Sequence, residues 1–98
     1  MQGLQVMADM LTSANRSVRV VGVLGLGLTG FKEVQPMLEA VFGLDPRLHT
    51  IIANAWTWTA APEDVERYHE VFYSKADPGQ RLRVGNAWLA VSDTFRRP

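Results

Sequence analysis

The sequence predicts an all-α fold assembled from a repeated pair of helices, and three observations support this prediction. The pattern D-P-x7-N-A-W occurs twice, beginning at Asp45 and again 32 positions later at Asp77. Apolar residues recur at helical spacing in most segments, whereas no clean strand-like alternation extends beyond a few positions. Asparagine or aspartate, both favoured N-cap residues, stands at the start of each repeated segment. A period of about 30 residues is typical of stacked helical units.

The predicted units together form one domain of 98 residues. Residues 32–42 align with residues 63–73 at a spacing of 31, and Asn15 aligns with Asp45 at a spacing of 30. These offsets divide the chain into an N-terminal helix at 1–13, a first repeat at 15–43, a second repeat at 45–75 and a partial third repeat at 77–98.

The first helix of each repeat is predicted to follow an N-cap residue, which is Asn15, Asp45 or Asp77. Pro46 and Pro78 follow the two aspartates at the first helical position, where a missing N–H costs no intrahelical hydrogen bond. The apolar stripes of the later two helices are Ile51, Ile52, Ala55 and Trp56, and Val84, Ala87, Trp88, Val91 and Phe95.

The repeated tripeptide Asn-Ala-Trp is interpreted as a packing element. We expect Trp56 and Trp88 to fill the space between stacked units, since large aromatic side chains dominate such contacts. Asn54 and Asn86 are expected to hydrogen bond each other or neighbouring carbonyls, with a ligand site as the alternative. Trp58 lies two positions after Trp56, and residues at this spacing do not share a helical face. We therefore expect Trp58 on the opposite side of the helix or partly exposed.

The second helices are predicted to begin near Lys32 and Pro62, with acidic residues in the first turn that favour the helix dipole. Pro36 falls in the first turn, where amide donors have no intrahelical partner. Gly30 is expected to stop the preceding helix. The apolar stripes of these helices are Val34, Met37, Leu38 and Val41, and Val65, Tyr68 and Phe72, while Leu4, Met7, Ala8 and Leu11 form that of the N-terminal helix.

Residues 15–48 resemble a HEAT-like repeat of the short kind also found in phycobilisome lyases. The resemblance rests on the Asx cap at Asn15, the pair Val18-Arg19, the turn glycine Gly30 and the run E-x-x-P-x-L-E-A that begins at Glu33. It implies a right-handed superhelical stack of antiparallel helical hairpins, with about six helices and a concave face formed by the second helices. Tetratricopeptide-like repeats are the runner-up, although their period is longer.

The composition argues against several classes of protein. The formal net charge is zero, which disfavours a dedicated nucleic-acid binder. The absence of cysteine excludes a disulfide framework and thiolate chemistry. His49 and His69 lack zinc-site spacing, so both are expected at the surface or its boundary. No catalytic pattern, cofactor motif, signal peptide or membrane span is found, and a non-enzymatic cytoplasmic protein without cofactor or metal is predicted.

Because HEAT-like repeats mostly bind proteins, the resemblance implies a scaffold or adaptor that contacts a protein partner. The final helix carries apolar residues around much of its circumference, which indicates an interface with another subunit or a second copy. We therefore consider a homodimer through this helix, while acidic residues of the second repeat would face a basic partner. The candidate interaction surface comprises Trp58, Glu63, Glu66, Arg67, Glu70, Trp88, Leu89 and Phe95.

Two other functions remain open at this stage. The repeat subtype suggests an accessory subunit of a bilin lyase-like or other enzyme complex. A helical-repeat nucleic-acid binder is the other alternative, because Arg16, Arg19, Arg81 and Arg83 could align along one edge.

Overall fold

The protein is entirely helical over the part of the chain that the structure describes. A computed structural model places the backbone of residues 2–96 and the side chains of residues 5–92. No strand occurs between residues 2 and 96, so the predicted all-α class is confirmed. The α-helices are α1 (Gln2–Met10), α2 (Arg16–Leu28), α3 (Gln35–Phe42), α4 (His49–Thr57), α5 (Val65–Tyr68) and α6 (Arg81–Arg96).

Short turns of other helix types extend three of these helices. A 3-10 turn precedes α3, α4 and α5, at Lys32–Val34, Pro46–Leu48 and Pro62–Asp64 respectively. The second helices therefore begin where the sequence predicts. α5 continues directly into a π-helical turn at His69–Tyr73, which the sequence does not predict.

The helices pack in two groups. α2 packs against α1 and α4, and α4 packs against α6, so three first helices lie side by side. α3 packs on α4, and the π-turn contacts both α3 and α6. Between these groups lies an apolar core whose fully buried large side chains are Trp56, Phe72, Leu26, Leu38, Ile52, Val23, Val34 and Val84. None of the described helices is long and apolar enough to cross a membrane.

The predicted caps are confirmed at Asn15 and Asp45. The Asn15 Oδ1 atom accepts hydrogen bonds from the N–H groups of Ser17 at 2.8 Å and Val18 at 3.4 Å. Asp45 Oδ1 accepts from the Arg47 N–H at 3.1 Å, at the start of the 3-10 turn. Such bonds satisfy amide groups that have no partner within the helix.

The predicted cap at Asp77 is wrong, since α6 begins only at Arg81. Asp77 Oδ2 accepts from the Gly79 N–H at 3.0 Å, and the Gln80 N–H donates to the Asp77 carbonyl at 2.8 Å. These bonds close a turn over Asp-Pro-Gly, a composition that favours turns over helix. Pro78 therefore lies in this turn instead of at the first helical position.

The Asn-Ala-Trp phrase behaves as predicted only at its tryptophans. Trp56 is inaccessible and Trp88 is only 8% exposed, and both belong to the core. Asn54 is half-buried and Asn86 exposed, and within residues 5–92 no hydrogen bond joins their amides. The expected asparagine pair is therefore wrong, because α6 presents Asn86 to solvent.

His49 corrects a second expectation, while His69 is exposed as predicted. His49 is buried, with 5% of its surface exposed, and its ring stacks on Phe42 with centroids 4.0 Å apart. The 3-10 turn that precedes α4 places this first helical residue on the core side, next to the buried Leu48.

Close approach of α2 and α4 depends on Gly27. A Cβ atom at this position would lie 2.7 Å from Trp58 Cε3 and 2.8 Å from Ala55 Cβ. Gly30, with φ of +70°, follows the end of α2 and confirms the predicted helix stop.

Candidate interaction cleft

An apolar cleft lies between the α5–π segment and α6. Its volume is about 140 Å³, and its lining is almost entirely apolar. Pockets for small-molecule ligands measure ~300–1,000 Å³, so this cleft matches a side chain better than a separate ligand. The lining residues are Val65, Tyr68, His69, Tyr73, Gly85 and Trp88.

The floor of the cleft is an aromatic cluster held by a buried hydrogen bond. The Tyr68 hydroxyl donates to the Val84 carbonyl oxygen, which ties α5 to α6. The Tyr68 ring lies 5.2 Å from that of Trp88 and 5.3 Å from that of Phe72. Burial raises the pKa of Tyr68 above its usual value of 10, so the hydroxyl remains a donor at neutral pH.

The π-turn shapes one wall. Its bond from the Ser74 N–H to the His69 carbonyl, at 3.0 Å, spans five residues instead of the four of an α-helix. The turn brings the His69 and Tyr73 rings to 5.1 Å. Such π-turns frequently occur at functional sites, because they reorient side chains within a helix.

Gly85 allows α6 to approach this wall closely. A Cβ atom on Gly85 would lie 3.0 Å from Tyr73 Cε2, so a larger residue would require the Tyr73 ring or α6 to shift. The Arg81 guanidinium carbon lies 5.9 Å from the centroid of the same ring, within the range of a cation–π contact. One wall of the cleft is therefore fixed by contacts from α6.

Exposed apolar side chains lie on the two segments that form the cleft. Leu82 is 76% exposed and Leu89 is 64% exposed on α6, and Val65 on α5 is 44% exposed. Leu82, Gly85 and Leu89 have the spacing i, i+3, i+7, which places them on one face of α6. The apolar surface of the cleft therefore continues along α6.

The α5–π segment adds negative charge. Glu63, Glu66 and Glu70 are exposed, and none forms an ion pair with another residue in the part of the chain with described side chains. Arg67 differs, because its guanidinium donates two hydrogen bonds to the Glu39 carboxylate, at 2.7 and 3.2 Å. The segment therefore carries uncompensated carboxylates beside the apolar cleft.

The structure separates the predicted surface into two regions. Five residues of the predicted surface belong to the two segments that form the cleft, and they are Glu66, Arg67, Glu70, Trp88 and Leu89, with Trp88 in its lining. Glu63 lies in the 3-10 turn before α5. Trp88 was expected on the interaction surface, but it is mainly a core residue with one edge at the cleft.

Trp58 belongs to neither wall of the cleft. It follows α4, packs on Gly27 of α2 and is 45% exposed, which confirms its predicted partial exposure. Phe95 lies outside the residues whose side chains are described.

Of the six lining residues, the sequence predicts only Trp88 as a site residue, and it misses Val65, Tyr68, His69, Tyr73 and Gly85 as well as the exposed Leu82 on α6. His69, Tyr73 and Gly85 come together only through the π-turn and the packing of α6, which no local pattern reveals. Leu82 is identifiable from the sequence, because it lies seven positions before Leu89 and residues at this spacing share a helical face.

Comparisons with protein-family models, with curated proteins and with solved structures found no match to this chain.

Proposed function

We propose that the protein is a non-enzymatic scaffold or adaptor that binds a helix of a partner protein in the cleft between α5 and α6. The observation that carries the proposal is the pair Leu82 and Leu89, exposed on the same α6 face as Gly85, which lines the apolar cleft. Large apolar side chains exposed together in this way typically mark interaction sites.

The chemistry of the cleft argues for an amphipathic, basic helix as the occupant. An apolar side chain of such a helix would enter the cleft above Tyr68 and Trp88, while neighbouring ones would cover the two leucines. Glu66 and Glu70, without ion pairs among the described residues, would attract lysine or arginine on the helix margins. A helix with acidic margins would be repelled.

We propose further that the hairpins are HEAT-like repeats, arranged as a right-handed superhelical stack. The side-by-side packing of α2, α4 and α6, with α3 and the α5–π segment on α4 and α6, supports this interpretation. In such stacks the second helices line a concave binding face, which would include the acidic residues of α5.

Site-specific photo-crosslinking in the cell that produces the protein tests the proposal. A photoreactive residue replaces Leu82 or Leu89, and a matched control replaces Val6, which is 60% exposed on α1. We expect cross-links from both leucine positions to a basic amphipathic helix of one partner, and none to that partner from position 6. Leu82→Gln and Leu89→Gln should then weaken binding of this partner, whereas Val6→Gln should not.

Two results would overturn the proposal. The first is a partner that cross-links equally from the cleft and from position 6, which indicates contact without a specific site. The second is cross-linking only between copies of the chain, together with a dimeric mass by light scattering, which would assign the cleft to homodimerisation.

A further inference from the structure

A cluster of three arginines surrounds one carboxylate at the start of α2 and α4. Asp45 lies 3.0 Å from Arg19 Nη2, 3.2 Å from Arg47 Nε and 3.9 Å from Arg16 Nε. The Asp45 side chain is only 12% exposed. One carboxylate among three guanidinium groups leaves a local excess of positive charge.

The three arginines differ in their exposure and in the N–H groups that they can offer to an external ligand. Arg19 is committed, because it also donates to the Ser13 carbonyl at 2.7 Å and is 22% exposed. Arg16 and Arg47 are 48% and 67% exposed, and each approaches Asp45 through Nε. Their terminal N–H groups have no hydrogen-bond partner among residues 5–92, so they can bind an external carboxylate.

A cleft of about 560 Å³ adjoins this cluster. Leu11, Leu44 and Pro46 supply its apolar lining, while Arg19, Arg47 and Asp45 contribute charge. Arg16 is not part of the lining but lies next to Asp45, 3.9 Å from its carboxylate. Leu44 is 69% exposed. An occupant must therefore combine negative charge with an apolar side chain.

Arg16 and Arg47 lie at positions where a helix favours acidic residues over basic ones. Both lie at the N-terminal ends of their helical segments, where the helix dipole disfavours cations, and neither α2 nor α4 has an acidic residue in its first turn. In contrast, the turns that begin the second helices contain Glu33 and Glu63. Residues that break a local rule of this kind are often retained for function.

We propose that this cleft binds an acidic segment of a partner polypeptide, with its carboxylates on Arg16 and Arg47 and an apolar side chain on Leu44. A nucleic-acid backbone fits less well, because Asp45 lies at the centre of the cluster and the lining contains no aromatic side chain on which a base could stack. This surface is separate from the cleft between α5 and α6, and the inference does not depend on the function proposed for that cleft.

Titration with model ligands tests the proposal. The probe is an acetylated and amidated Glu-Glu-Leu-Glu-Glu peptide, and the comparison ligands are Lys-Lys-Leu-Lys-Lys and single-stranded oligothymidylate. Binding is followed by NMR at low ionic strength, using backbone amides and the arginine Nε–H signals. We expect only the acidic peptide to shift the Arg16 and Arg47 signals, together with amides near Leu11 and Leu44.

A pair of charge-matched variants makes the test specific. Arg16→Gln/Arg47→Gln should weaken peptide binding about tenfold, since it removes both charge-assisted contacts. Lys75→Gln/Arg83→Gln removes two exposed cations elsewhere and should change the affinity by less than about twofold. Circular dichroism verifies that both variants fold. No binding of the acidic peptide, equal losses in both variants, or tighter binding of oligothymidylate would each overturn the proposal.

Discussion

The backbone N–H of Asp77 donates a hydrogen bond to His49 Nδ1 at 3.0 Å, linking the turn before α6 to the start of α4. Because Nδ1 is the acceptor, the neutral imidazole carries its proton on Nε2. That N–H is buried and has no hydrogen-bond partner among the residues whose side chains are described. The ring therefore satisfies one buried amide and leaves another donor unsatisfied.

Replacing His49 with phenylalanine should remove both effects at once. The variant keeps the stacking on Phe42 but leaves the Asp77 amide without its acceptor, while it also removes the unsatisfied N–H. Each effect amounts to ~1–3 kcal/mol with opposite sign, so we expect the free energy of unfolding to change by less than about 2 kcal/mol.

Hydrogen exchange should reveal the lost contact in this variant. We expect the Asp77 amide to exchange at least about tenfold faster, because its protection depends on the hydrogen bond. His69→Phe, at an exposed position, is the control and should leave this amide unchanged. Unchanged protection in His49→Phe would contradict the role assigned to the histidine.

Gly27→Ala should destabilise the packing of α2 on α4. The new methyl group would overlap Trp58, Ala55 Cβ and the Ala55 Cα at 2.7–2.9 Å, and a backbone atom cannot move aside as a flexible side chain can. We expect the free energy of unfolding in urea to fall by ~1–3 kcal/mol. Gly43→Ala is the matched control, because no atom lies within 4 Å and its φ of −81° suits alanine. Equal effects at both positions would exclude steric overlap as the cause.

Local signals made much of the fold predictable. Asn15 and Asp45 act as caps through bonds to amides two or three residues away, so short patterns suffice to identify them. The start of α6 was misplaced because Asp-Pro-Gly can form either a helix cap or a turn. The position of His49 depends on contacts with Phe42 and Asp77, one of them 28 residues distant, which local patterns do not contain.

The candidate sites were less predictable than the helices. The acidic residues of α5 and the apolar residues of α6 were visible in the sequence, but the cleft between them depends on the π-turn and on Gly85. The arginine cluster was hidden for a similar reason. Arg19 and Asp45 are 26 residues apart, and only the packing of α2 on α4 joins them.

Asp45 should contribute to the pH dependence of stability. Burial of its carboxylate raises the pKa, but the Arg47 N–H and the guanidinium groups of Arg47 and Arg19 outweigh this effect and lower the pKa below 3.8. A carboxyl whose pKa is lowered on folding stabilises the folded state above the unfolded-state pKa. That stability is lost as the pH falls through the folded-state pKa.

Urea unfolding at neutral pH and at several pH values below 3.8 measures this contribution. We expect stability to decrease with falling pH in the parent protein and to decrease less steeply in Asp45→Asn, which has no carboxyl to protonate there. At neutral pH the variant should be less stable, because Arg19 loses its charged partner. Identical acid dependence in the two proteins would refute the assignment.

Tyr68 should titrate at a higher pH than an ordinary tyrosine. Burial raises its pKa well above 10, because ionisation would place a charge in the aromatic cluster and break the bond to the Val84 carbonyl. In the unfolded state the phenol ionises near its usual pKa, so the stability that the neutral phenol contributes is present below pH 10 and is lost as the pH rises above it.

A pH titration followed by near-ultraviolet difference absorbance should therefore show a delayed phase, in which one phenol ionises at elevated pH. This phase should be absent in Tyr68→Phe and retained in Tyr73→Phe. The same Tyr68→Phe change should lower the free energy of unfolding by about 0.5–1.5 kcal/mol through loss of the hydrogen bond. A delayed phase that is missing in the parent protein, or that survives Tyr68→Phe, would contradict the buried environment of this hydroxyl.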